Sequence, residues 1–96
     1  MKVEYTNRAL ADLRKASADS RAFGDRVAEA FEQRIREVIA FIQERPEGAA
    51  KIVERPGVRV KPLVPYPHKT FSRILEDRVR ILHIRHTSRR SWTKYR

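Results

Sequence analysis

The chain begins with alternating apolar and polar residues, passes to a helical period, and returns to alternation after residue 58. Lys2–Tyr5 places Val3 and Tyr5 on one side and is predicted as a short strand. Thr6 follows as the expected N-cap, with Asn7 as the alternative, because either side chain can accept from the free N–H groups of a first helical turn. A first helix is expected over Arg8 to Ala18, with a narrow stripe of Ala9, Leu10, Leu13 and Ala16 that needs a packing neighbour. Asp19–Gly24 reads as a break. A second helix is expected from Asp25 to Glu44, where Val27, Phe31, Ile35, Val38 and Ile42 form one continuous face widened by Ala28, Ile39 and Phe41. Arg45-Pro46 ends it, since a residue before proline is pushed out of the helical region. The short link between the helices implies an antiparallel hairpin over about 8–45.

Pro46, Gly48, Pro56 and Gly57 mark a stretch expected to be mostly loop. Val58, Val60 and Pro62 then alternate with Arg59, Lys61 and Leu63, and Pro65 and Pro67 bracket a turn at Tyr66. Lys69–Leu75 and Arg78–His86 read as two more strands, joined by a hairpin at Glu76-Asp77. The last strand is apolar on both sides in its middle, as a central strand is. The predicted order is strand, helix, helix, strand, strand, strand. This is an α+β fold in which the later strands, about 58–86, form an antiparallel meander. The two helices should cover one face, leaving the other concave or open. Residues 87–96 form a basic tail.

Ninety-six residues make one domain, 1–96, with one core. No apolar stretch nears the ~20 residues that span a bilayer. The N-terminus has no apolar signal segment, so the expected location is the cytoplasm. Cysteine is absent, which excludes disulfides and thiolate metal sites. The net charge of +10 is unevenly placed. Residues 1–50 hold nine Lys/Arg and nine Asp/Glu, whereas residues 51–96 hold thirteen Lys/Arg and only Glu54, Glu76 and Asp77 as acids. Such a half repels itself unless a partner relieves it, so an acidic partner is expected: nucleic acid, a membrane surface or an acidic protein.

His83 and His86 are three apart on a predicted strand and point to opposite faces, so no metal site is expected. No nucleophile elbow and no phosphate loop occurs, and no cofactor is implied. What remains is cationic. By parity Arg59 and Lys61 share a side, Lys69, Phe71 and Arg73 share a side, and His83 and Arg85 share a side, with Arg89 and Arg90 just beyond. If these strands adjoin, several cations are expected to converge on one face. Such a cluster binds phosphate or docks an acidic peptide. Any single arginine reads more simply as a solvated side chain, but three acids cannot neutralise thirteen cations. His86 reads equally as structural or functional. Trp92 and Tyr95 either stack on bases or anchor the tail.

The run from Pro67 to His86, followed by Thr87-Ser-Arg-Arg90, resembles the signature of the RelE/ParE toxin superfamily. Val3 to Leu13 and Gly57-Val-Arg-Val60 are similar to further family segments, so the likeness spans nearly the whole chain. The resemblance implies two helices packed on a small antiparallel sheet that the N-terminal strand joins. It implies a type II toxin bound and neutralised by an antitoxin, as a hetero-oligomer. The antitoxin segment is expected to be acidic and partly helical, and no membrane partner is implied. The His86-x-x-Arg89-Arg90 ending resembles the ParE branch, which inhibits DNA gyrase without a chemical step. The alternative is a RelE-like endoribonuclease acting on ribosome-bound mRNA. The resemblance would then assign catalysis to Arg59, Lys61, Arg73, Arg89 and Tyr95. A base would assist 2′-OH attack and cations would stabilise the phosphorane. His68 and Ser72 stand where the family pattern has tyrosines. The face expected to meet target or antitoxin comprises Arg59, Lys61, Lys69, Arg73, Arg85, His86, Arg89, Arg90 and Trp92.

Overall fold

Thr6 ends the first strand, β1 (Lys2–Tyr5), and caps the first helix, α1 (Asn7–Arg21). Its Oγ1 accepts from the Ala9 N–H at 3.0 Å and donates to the Leu82 carbonyl at 2.8 Å, so one hydroxyl serves both a helix end and a strand edge. The computed structural model describes residues 1–87. α1 runs three residues beyond the predicted Ala18, and Arg21 joins its last turn to Asp25 and Glu32 of the second helix. Gly24, at φ 124°, makes the reversal. The second helix, α2 (Asp25–Glu44), has the predicted bounds. It buries Ala28, Phe31, Ile35, Val38 and Ile42; Val27, expected on that face, lies at its rim and is 42% exposed.

The stretch predicted as mostly loop contains a short 3-10 turn, Pro46–Gly48, and a two-residue strand, β2 (Ala50–Lys51). β3 (Arg59–Pro62), β4 (His68–Ile74) and β5 (Arg78–His86) follow. They form the antiparallel meander expected, in a sheet of order β1-β5-β4-β3-β2. β1 does join it, as the resemblance implied, but it pairs with β5 in parallel. The long connection through the hairpin allows that direction, which no tight turn could.

The helices cover one face. Phe31, Ile35, Val38 and Ile42 of α2 pack with Ala9, Leu63, Val79, Ile81 and Ile84. The opposite face is less open than predicted. The 52–58 segment folds back onto it, and Ile52 and Val58 enclose Phe71, with Val60 and Leu82 beside them. Backbone bonds from Ile52 N to Val58 O and from Val58 N to Arg55 O close that loop. Gly57 permits it: φ is 85°, and a Cβ there would lie 2.6 Å from Arg73 Nη1. Among the described residues, no helix is long and apolar enough to cross a membrane.

Candidate functional site

Strand register decides which cations share a face. Arg59 pairs with Ser72 and Lys61 with Thr70, and both partners are buried towards the helices. Arg59 therefore donates to the Glu47 and Ala49 carbonyls at 3.1 and 2.9 Å, and the Lys61 ammonium sits 4.3 Å from the centre of the Phe41 ring on α2. Val60, between them, pairs with Phe71 on the other face. Lys69, Phe71 and Arg73 thus point away from Arg59 and Lys61.

A bulge adds two arginines to that other face. Phe71 pairs with His83, and the next residue, Ser72, pairs with Ile81, so Leu82 is an extra residue in β5. Val79 and Ile81 before the bulge, and Ile84 after it, all face the helices. Arg78 and Arg80 consequently lie on the same side as His83 and Arg85, although simple parity separates them. Cross-strand neighbours Arg73–Arg80 and Lys69–Arg85 continue the row. Glu4 accepts from both Arg78, at 2.7 Å, and Arg80. The Arg80 hydrogen bond, and then Arg78, holds the Glu4 carboxyl below the usual carboxylate range.

β1 stops opposite Ile81, which leaves the edge of β5 uncovered beyond that point. α1 supplies the missing partners. Asp12 Oδ2 accepts from the Ile84 N–H at 2.9 Å and from His83 Nδ1 at 2.5 Å. Arg85 Nη1 lies 3.3 Å from His83 Nε2. A carboxylate only accepts and a guanidinium only donates, so this imidazole is neutral, with its proton on Nδ1. Burial pushes its pKa below the ordinary value against the pull of Asp12, and Arg8 and Arg85 push it the same way. Asp12 is thus a structural partner for the strand edge and a fixed orienter of His83 and Arg85.

On the helical side, Phe23, Val27, Phe31, Tyr66, Pro67 and His86 line a groove of about 290 Å³ between the hairpin turn and the start of β4. Phe23 is 80% exposed at its mouth. His86 packs edge-on against His68, which in turn meets the Phe31 ring. Among the described residues, no group of three His, Asp or Glu side chains is placed to hold a metal ion.

This fold matches that of known proteins. A family profile for the ParE toxin of type II toxin-antitoxin systems matches residues 3–91. The chain belongs to the ParE toxin family. A chain from the structure of the chromosomal ParDE system of P. aeruginosa is similar to it, at 28% identity and a TM-score of 0.78. That similarity covers 90% of this chain and 95% of the other. None of the curated proteins compared with the chain matches it.

In this ParE chain the expected single cationic face is corrected to two. Arg59, Lys61 and His86 belong to the helical side, and Lys69, Arg73 and Arg85 to the opposite side. The pairs that parity named within each strand do share a side, but the bulge in β5 breaks parity beyond them, and the offset between β3 and β4 opposes their cations. Arg89, Arg90, Trp92 and Tyr95 lie outside the described residues. Arg78, Arg80 and Asp12 were missed. For the two arginines the signal was the spacing Val79, Ile81, Ile84, in which a step of two gives way to a step of three.

Proposed function

We propose that this chain arrests growth by blocking DNA gyrase, and that a cognate antitoxin silences it by direct binding. Membership of the ParE family supports the toxin reading. The division of the cations supports inhibition over RNA cleavage. A ribonuclease would need Arg59 and Lys61 beside Arg73, yet register sends them to opposite faces, and Arg59 is occupied by two carbonyls. Positioned groups are what such a cleavage depends on.

The two faces suit different partners. The groove carrying Phe23 and Val27 suits the apolar side of an antitoxin helix, because stable protein interfaces centre on apolar anchors. The positive charge of the chain speeds the approach of an acidic antitoxin segment from a distance. The opposite face, with Lys69, Arg73, Arg80 and Arg85, is the working surface. The deciding experiment is a purified supercoiling assay run beside primer extension on translated mRNA. The reading expects loss of supercoiling that antitoxin restores, and intact mRNA. Codon-positioned cuts with supercoiling intact would establish the RelE-like alternative instead.

A further inference from the structure

We infer that the working face binds the phosphate backbone of nucleic acid. This deepens the assignment of that face, and it does not depend on gyrase being the target. Lys69, Arg73, Arg78, Arg80 and Arg85 stand on β4 and β5, with Lys2 beside them on β1. Among the described residues Glu4 pairs with Arg78 and Arg80, Asp77 pairs with Arg78, and Asp12 is linked to Arg85 through His83. Lys69 and Arg73 make no hydrogen bond or ion pair with a described residue. The bulge at Leu82 is what unites this row: without it Arg85 and Arg80 would lie on opposite faces.

The chemistry of the partner follows from what the face lacks. Of the sheet's apolar residues on this side, Phe71 is buried and Val60 and Leu82 are half-buried beneath the 52–58 loop, whose own Val53 is exposed. A protein partner needs apolar anchors at the centre of its interface, and among the described residues β4 and β5, which carry the cations, expose none on this side. Base stacking needs an exposed ring, but the rings that the described residues place on this face, Phe71 and His83, are buried against each other. What remains is charge, chiefly guanidinium, whose planar fork fits phosphate oxygens. Backbone phosphates are the ligand recognised by charge alone, without sequence preference.

The test is fluorescence anisotropy of the full chain with a labelled DNA duplex across a salt series. About four phosphate contacts would weaken binding roughly a hundredfold between about 50 and 200 mM salt. K69Q/R73Q breaks no ion pair with a described residue, and circular dichroism would confirm its fold. It should make the slope of log affinity against log salt shallower by about 0.9 per contact removed. R26Q/R36Q, on the exposed side of α2, should leave that slope unchanged. An unchanged slope in the folded K69Q/R73Q chain would overturn the inference. So would an equal loss in R26Q/R36Q, or equal affinity for polyglutamate of matched charge. Loss of DNA binding with gyrase inhibition intact would leave the toxin reading standing and remove this face from it.

Discussion

The two faces of the sheet differ in what covers them. On the helical side α2 lays down Phe31, Val38 and Ile42 in a continuous stripe, and the cations there are consumed locally by carbonyls or by the Phe41 ring. On the other side a seven-residue loop, 52–58, seals three residues, and a row of cations is left towards β1. A helical cover satisfies its own backbone and can be wide; a loop cover is narrow, so the same sheet gains a sealed face and a charged one. Net charge is therefore a poor guide to where a basic protein works. The face on which each cation emerges is decided by register and by one inserted residue.

Equal truncations on the two sides should separate the covers most strongly. Ile42→Ala, at a site with no exposure, should cost about 4 kcal/mol, and Ile52→Ala, on the loop, about 2 kcal/mol, both read by urea denaturation. Equal losses would mean that the loop is as rigid a cover as the helix. Next in size is the seam between them. Asp12→Ala leaves the Ile84 N–H and His83 Nδ1 without their acceptor, at about 2–3 kcal/mol. It should also loosen Arg85 and weaken duplex binding, which a defect confined to the helical side would not do.

A smaller effect is pH dependence. The pKa of His83 is lowered from 6.5 in the folded chain, so below about pH 6.5 the unfolded state binds the extra proton. Stability should fall as pH drops from there towards the depressed folded value, and H83N should flatten that part of a pH–denaturation profile. Glu4 is also depressed, but a carboxylate loses its contribution only below about pH 4.5, so the two windows are separable. Persistence of the near-neutral slope in H83N would assign it elsewhere. Smallest of all is Glu4→Gln, which frees Arg80 and leaves Arg78 with Asp77 alone. Duplex affinity should rise a few-fold with little change in fold, and an unaltered affinity would mean that these two arginines do not face the ligand.

Much of this was legible in the sequence. The α2 bounds, the Thr6 cap, β5 and the β4–β5 hairpin follow from local period and capping chemistry, which act over a few residues. β2 was not legible, because two exposed residues between glycine and proline carry no period. The parallel direction of β1 and the pairing of Asp12 with His83 join residues 71 or more apart, and no periodicity encodes them. The bulge left a trace in the step from Ile81 to Ile84, which alternation alone reads as a strand buried on both sides. Of the expected site, parity fixed each strand's own cations, and only register could combine them.

The separation of restraint from work is tested most directly by the calorimetric affinity of the cognate antitoxin for the natural chain and for K69Q/R73Q. With restraint seated on the helical side, the two affinities should agree within about threefold at physiological salt, where exposed charges beyond about 8 Å are screened. A loss of tenfold or more, about 1.4 kcal/mol, would place the antitoxin on the charged face and contradict that separation.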